Sequence, residues 1–217
     1  MYKIAIDGPS GAGKSTIAKL LADKLNIEYI DTGAMYRAIA YKIIVNHVDI
    51  EDEMRLSEML LETKVDFSAG KIFLDDIEIG DFIRTPEVTK MASDSSAIPA
   101  VRKRLVDLQR KMGEDKSIIM DGRDIGTNVL KDAEFKFFLT ASPEIRAERR
   151  YKEMQEKNMP VSYETVYDDI MKRDYNDEHR QIDPLVPAED AHIIDTSDMS
   201  IDEVIGKLCG IICDTKL

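Results

Sequence analysis

Residues 4–16 confine this chain more tightly than any other stretch. Ile4-Ala5-Ile6-Asp7 is an apolar run with the character of a buried strand, and it breaks at once into Gly8-Pro9-Ser10-Gly11-Ala12-Gly13-Lys14-Ser15-Thr16. Gly8, Gly13, Lys14 and Ser15 fill every fixed position of the pattern G-x-x-x-x-G-K-[ST]. Three glycines let the backbone turn tightly and bring its N–H groups close to a polyphosphate. Lys14 can reach the β- and γ-phosphates, and the Ser15 hydroxyl can ligate a magnesium ion. The following run, with Ile17, Leu20, Leu21 and Leu25, reads as an amphipathic helix whose positive N-terminus faces the same phosphates. The plain alternative is a Gly-rich turn between any strand and helix. Strand before, helix after and all four fixed positions together favour a nucleoside triphosphate site over Gly8–Thr16.

The chain has 217 residues, which suits one substantial α/β core with insertions better than two independent domains. A net charge of −12 argues against broad binding to nucleic acid or an anionic membrane, since both want a basic surface. Any phosphate site must therefore come from a local concentration of Arg and Lys. The two cysteines, Cys209 and Cys213, fall on the apolar face of a terminal helix and read as reduced core residues. Nothing resembles a signal peptide and no apolar run approaches membrane-spanning length, so a reducing cytoplasm is the expected setting. No long exposed apolar stripe is evident, and a monomer is expected.

Along the chain, residues 28–31 form a short strand candidate, followed by a helical pattern from Ala34 through Ile39, Ile43 and Ile44 and a further helix over 52–61. The pattern then changes. Residues 65–68, 71–74 and 77–79 have β character and are separated by the turn signals Ala69-Gly70 and Asp75-Asp76, which predicts a small antiparallel insert. Thr85-Pro86-Glu87 opens a helix, and Pro99 starts another that runs to Met112. Strands are expected at 117–121, 135–139 and 192–195, and helices at 142–157 and 162–177. Ser200 with Glu203 forms a capping box for the last helix. Five strands alternating with helices predict a parallel-sheet α/β domain.

In an open parallel sheet, ligands bind at the carboxyl ends of the strands. Three such ends carry charge: Asp7 with the phosphate loop, Asp31-Thr32-Gly33 with Arg37 one turn later, and Asp121-Gly122-Arg123-Asp124-Ile125-Gly126. Asp121 is a candidate magnesium carboxylate beside Ser15, or simply an acid ending a strand. In the same loop, Arg123 suits a phosphate fork and Asp124 suits an amino-group donor on a base, unless both are solvated turn residues. Arg146, Arg149 and Arg150 share a helix face, as do Arg173, Asp177 and Arg180. Such patterns are commonly solvated faces. Here they lie in a charged stretch with little apolar content, 144–180, that could close over the site as a lid and exclude water. His179 is given no acid–base role, because a phosphate monoester acceptor already carries an anionic oxygen. His47 and His192 read as structural.

These segments together resemble the bacterial-type cytidylate kinases of the nucleoside-monophosphate kinase fold. The likeness runs through residues 7–15, Asp31-Thr32-Gly33-Ala34-Met35-Tyr36-Arg37, Ile83-Arg84-Thr85-Pro86-Glu87-Val88, residues 121–127, residues 146–150, Arg173-Asp174 and Pro184-Leu185-Val186-Pro187-Ala188. It implies a P-loop kinase with a five-stranded parallel sheet flanked by helices, a small antiparallel β insert and a helical lid. One domain would comprise a core of residues 1–33, 111–145 and 181–217, a monophosphate-binding region 34–110 with the insert at 63–84, and a lid at 146–180. The implied reaction moves the γ-phosphoryl group of ATP to CMP or dCMP with Mg2+. Ser93, Arg102 and Asp124 would meet the cytosine edge. Arg37, Arg123 and Arg180 would hold the acceptor phosphate with Thr32 nearby, while Arg173 and Asp177 would meet the sugar. Lys14, Arg123, Arg149 and Arg180 are the cations expected to meet the charge of transfer. Thr32 stands where Ser is also found in the family and keeps the hydroxyl.

Two other readings stay open from the residues alone. A kinase acting on UMP, shikimate or gluconate would share the phosphate loop and differ at Ser93, Arg102 and Asp124. A nucleotide-dependent regulatory protein is the second; its guanine-nucleotide version lacks support, since neither N-K-x-D nor D-x-x-G occurs.

Overall fold

The computed structural model describes residues 1–68 and 70–214, and its centre is β1 (Lys3–Asp7). β1 pairs in parallel with β6 (Ile118–Gly122) on one side and β7 (Phe135–Thr140) on the other; Ile6 stands opposite Asp121 and Phe137. β2 (Glu28–Asp31) adds outside β6, and β8 (His192–Asp195) outside β7, giving the order β2-β6-β1-β7-β8. A parallel sheet covered on both faces needs inner strands that are apolar throughout. Ile4, Ala5, Ile6, Ile118, Ile119 and Met120 accordingly have no exposed surface. Ile4, Ile6, Ile119 and Phe137 face α1 (Lys14–Leu25) and α8 (Ile201–Asp214). Ala5, Ile118 and Met120 face α2 (Thr32–Val45) and α5 (Pro99–Met112).

Between α2 and α5 the chain forms α3 (Glu53–Glu62), an antiparallel sheet of β3 (Val65–Ser68), β4 (Lys71–Leu74) and β5 (Ile77–Glu78), and α4 (Pro86–Ser95). Asp75 and Asp76 both have left-handed backbone, φ 50° and 68°, as a two-residue primed hairpin turn requires. Of the other turn signal, Ala69 lies outside the described residues. The insert shares the core of α2 through Phe67, Ile72 and Leu74. Thr85 caps α4 by accepting from the Val88 N–H at 3.2 Å.

α6 (Pro143–Glu156) and α7 (Tyr163–His179) form a hairpin capped at its two starts by Ser142 and Ser162. The sequence there predicts little apolar content, yet Ala147, Val166 and Ile170 make a small core of their own, with Tyr151, Met154 and Tyr163 packed around it. Tyr and Met supply burial that a count of aliphatic residues overlooks.

Two further expectations are corrected, and one element is added. β6 starts one residue later than expected, at Ile118. Cys209 is half-buried but Cys213 is exposed, because the buried stripe of α8 runs through Val204, Leu208 and Ile212 and leaves position 213 off that face. A π-helical turn, Ile125–Val129, was not foreseen. Its cause lies far away in sequence: the Asp7 carboxylate accepts the N–H groups of Ile125 and Gly126, both at 2.8 Å. His192 is exposed on the edge strand, its ring 5.9 Å from that of Phe137. Among the described residues no helix is long and apolar enough to cross a membrane.

Candidate active site

The chain leaves β1 at Asp7 and turns through Gly8, where φ is +145° and a Cβ would stand 1.9 Å from the Leu139 carbonyl oxygen. Only glycine lets the loop pass so close to β7. Gly11 is left-handed and lies against Arg146, where a Cβ would come within 3.0 Å of the Arg146 Cβ. α1 then starts with no side-chain cap, so its first N–H groups and its dipole remain available to an anion. Lys14 is buried and donates to the Pro9 carbonyl at 2.7 Å. Burial and the neighbouring Arg123 push its ammonium down to about 7.

Ser15 Oγ donates to Asp121 Oδ2 at 2.7 Å, and Tyr29 Oη donates to Asp121 Oδ1 at 2.8 Å. Burial, aided by Asp31, raises the Asp121 carboxyl to about 6. A hydroxyl and a carboxylate so close together suit magnesium, which draws most of its ligands from substrate phosphates and water. Among the described residues no cluster of three His, Cys, Asp or Glu offers an all-protein cage. The Thr32 hydroxyl is spent on the fold, donating to the Asp121 carbonyl at 2.6 Å and joining the ends of β2 and β6.

Beside the loop stands a group of guanidiniums with too few carboxylates. Asp31 caps α2, accepting the Ala34 N–H at 2.7 Å, and also accepts from Arg37 Nη2 at 3.0 Å. Arg123 Nε donates to Asp177 at 2.7 Å. Arg37 Nε and Arg173 Nε are buried and have no partner among the described residues. Burial, and then Arg123 with Arg37, lowers the Arg173 guanidinium to about 10 despite the pull of Asp177. Buried donors without acceptors are uncommon in folded proteins. Their chemistry here suits an anion.

A second network surrounds Asp124, which is 5% exposed. Arg102 Nη2 donates to its Oδ2, Arg180 Nη2 donates to Oδ1 at 3.0 Å, and Asn128 Nδ2 donates to Oδ2 at 3.1 Å. Arg102 and Asp124, the pair the family resemblance implies, thus lie together, with Arg180 joining them. Ser93 lies half-buried on α4; among the described residues its side chain makes no hydrogen bond into this network, and its carbonyl accepts from Ser96 Oγ at 2.8 Å.

The arginines of α6 separate. Arg146 is buried and grips the phosphate loop, donating through Nη1 to the Ser10 carbonyl at 3.0 Å and through Nε to the Ala141 carbonyl at 2.9 Å. It also pairs with Asp174, whose other oxygen accepts the Ser10 N–H at 3.1 Å. Arg149 donates to Thr196 Oγ1 and to the Thr196 carbonyl, at 3.1 and 2.6 Å. Arg150 pairs with Glu153. Sequence reasoning missed the contacts of Asp174 and Asn128. Asp174 had a signal in lying three residues before Asp177 on the same helix.

Known proteins resemble this chain in sequence and in fold. The cytidylate kinase family profile matches residues 4–213. A cytidylate kinase of Clostridium perfringens is 50% identical over 208 residues, covering 96% of both chains. That of Carboxydothermus hydrogenoformans is 47% identical over 214 residues, covering 97% of this chain and 96% of its own. Among solved structures, shikimate kinase from Bacteroides thetaiotaomicron has a TM-score of 0.51 at 14% identity, covering 97% of this chain and 98% of that one. Shikimate kinase from Acinetobacter baumannii has a TM-score of 0.50 at 18% identity, covering 100% and 96%. The structural likeness speaks for the fold alone, whereas the sequence likeness runs from β1 into α8. On that extent of matching, the chain belongs to the cytidylate kinase family.

Proposed function

We propose that this protein transfers the γ-phosphoryl group of ATP to CMP or dCMP, giving CDP or dCDP and ADP. The observation that carries this reading is the buried Asp124, held by Arg102 and Arg180, near a guanidinium group that has bare donors. ATP is taken by Gly8–Thr16, with Lys14 and the N-terminus of α1 meeting its phosphates. Arg37, Arg123 and Arg180 hold the acceptor phosphate, while Arg173 and Asp177 meet the sugar. Asp124 and Arg102 read the base, with Ser93 beside them. Ser15 and Asp121 would hold magnesium, which would neutralise phosphate charge when bound. No residue need act as a general base, because the acceptor oxygen is anionic near neutral pH; orientation and positive charge do the work. Arg149 meets the developing charge only after leaving Thr196.

In this reading the core is 1–33, 111–145 and 181–217, residues 34–110 hold the monophosphate, and 146–180 close as a lid. The setting is a reducing cytoplasm, and the protein acts as a monomer on small molecules. A coupled ADP-release assay with ATP, magnesium and a panel of monophosphates, shikimate and gluconate tests the reading. Acceleration by CMP and dCMP well above the rest is expected; hydrolysis indifferent to every acceptor refutes it. Asp124→Asn should lower kcat/KM for CMP by on the order of 2 to 5 kcal/mol while ATP binding holds; equal losses in both would remove Asp124 from the base site.

A further inference from the structure

Asp183 stands just before Pro184 with a left-handed backbone, φ 48°. An L residue held there is strained unless its surroundings fix it, although Asp tolerates the region better than most. Three members of the Asp124 network supply the fixing. Asp183 Oδ2 accepts from Arg102 Nε at 3.1 Å and from Asn128 Nδ2 at 2.9 Å, and its carbonyl accepts from Arg180 Nε at 2.6 Å. The Asn128 amide has its orientation imposed from behind. Arg110, which can only donate, gives Nη2 to Asn128 Oδ1 at 2.9 Å, so Nδ2 must face the two carboxylates.

The consequence falls on Arg102. Its side chain is 2% exposed, and the guanidinium carries five N–H donors in a rigid plane. Asp183 Oδ2 sits on the Nε–Nη2 edge, 3.1 Å from each nitrogen, and Nη2 also donates to Asp124, while among the described residues Nη1 keeps only a long 3.4 Å contact with the Ser96 carbonyl. Asp183 therefore sets the roll of the plane. Without it, Arg102 is free to turn two parallel donors onto Asp124, the fork-to-fork arrangement that such pairs favour. That turn would draw Nη1 away from an incoming base and occupy the Asp124 oxygens needed to accept from an amino group.

We propose that Asp183 is a positioning residue for base selection, holding Arg102 and Asn128 so that Asp124 keeps an acceptor, and Arg102 Nη1 a donor, for an aminopyrimidine. The inference rests on the reading of Asp124 and Arg102 as the base-facing pair. It makes the discrimination of cytosine from uracil depend on a residue that need not touch the base.

The test compares wild type, Asp183→Gly and Asp183→Asn for kcat and KM with CMP and with UMP at saturating ATP, together with KM for ATP. Glycine accepts the left-handed backbone without strain, which separates loss of the carboxylate from loss of the fold. Asparagine keeps an acceptor oxygen for Arg102. The glycine variant should lower the CMP-to-UMP ratio of kcat/KM by roughly 10- to 100-fold, with KM for ATP unchanged, and the asparagine variant should recover most of the ratio. A ratio unchanged in the glycine variant overturns the proposal and leaves the CMP kinase reading intact. So does a fall in which CMP, UMP and ATP parameters worsen together. A wild-type protein indifferent to CMP overturns the underlying reading and this inference with it.

Discussion

Arg173 should destabilise the protein in which it sits. Its guanidinium lies among Arg123, Arg37 and Arg150, its Nε has no acceptor among the described residues, and burial together with those like charges lowers its pKa to about 10. A base whose folded pKa lies below its unfolded value costs stability at every pH below the folded value, so the full penalty is present at pH 7. At about 1.4 kcal/mol per pH unit, the shift corresponds to roughly 3 kcal/mol. The side chain is only half-buried, and solvent screening reduces this to about 1–2 kcal/mol. Arg173→Met keeps the apolar stem and removes the charge. It leaves no carboxylate stranded, because Asp177 remains paired with Arg123 at 2.7 Å. In a chloride buffer without nucleotide, the variant should melt about 2–8 °C above wild type. Added CMP or inorganic phosphate should then raise the wild-type Tm more than that of the variant, and kcat/KM for CMP should fall by roughly 10- to 100-fold. Differential scanning fluorimetry reads the first two quantities. A variant that melts below wild type without ligand would show that Arg173 serves the fold as a cation for its neighbouring acids, and the reasoning from orphaned charge would fail.

Gly8→Ala should destabilise folding by at least about 3 kcal/mol in urea titration, since its Cβ would stand 1.9 Å from a backbone oxygen in a conformation alanine resists. Lys14, held at about 7 in the free protein, should regain its proton when a polyphosphate arrives. ATP binding should therefore take up a proton above pH 7, seen by calorimetry in buffers of different ionisation enthalpy and lost in Lys14→Met. Asp121→Asn should raise the magnesium needed for half-maximal activity by roughly 10- to 100-fold at fixed ATP, because a neutral amide replaces the carboxylate beside Ser15. In the wild type the same requirement should climb below pH 6, where the Asp121 carboxyl, raised to about 6, takes a proton.

What the sequence made legible was local. The phosphate loop is contiguous, and the starts of α4, α6 and α7 are announced by Thr85, Ser142 and Ser162 with the hydrogen bonds those caps predict. The strand ends could be read for charge because parallel topology tells which end matters. The illegible parts are joined across long stretches of chain. Asp7 shapes the turn at Ile125 from 118 residues away, and Asp174 meets Ser10 across 164. No periodicity carries such information. The arginines of α6 show the limit most clearly. Arg146, Arg149 and Arg150 share one face by spacing, yet one is buried under the phosphate loop, one reaches back to Thr196 and one stays with Glu153. Spacing assigns a face, while length and flexibility let neighbouring guanidiniums choose different partners on it.

The grip on Ser10 bears on how an acidic chain can hold a polyanion at all. With a net charge of −12, the mean field repels ATP, but at physiological ionic strength that field decays over about 8 Å. Inside that distance the decisive charges are those few whose counter-charges are missing. Asp174 and Arg146 satisfy each other and both ends of the Ser10 peptide, so they add geometry to the loop without adding net charge. Arg173, the residue beside Asp174 on α7, is carried by the same helix while its Nε stays unpaired among the described residues. Breaking a buried pair of this kind strands a charge and typically costs 3–5 kcal/mol. The neutral clamp therefore anchors α7 against the phosphate loop, and the strain of like charges collects at Arg173 and Lys14, where on the proposed function an arriving phosphate would relieve it.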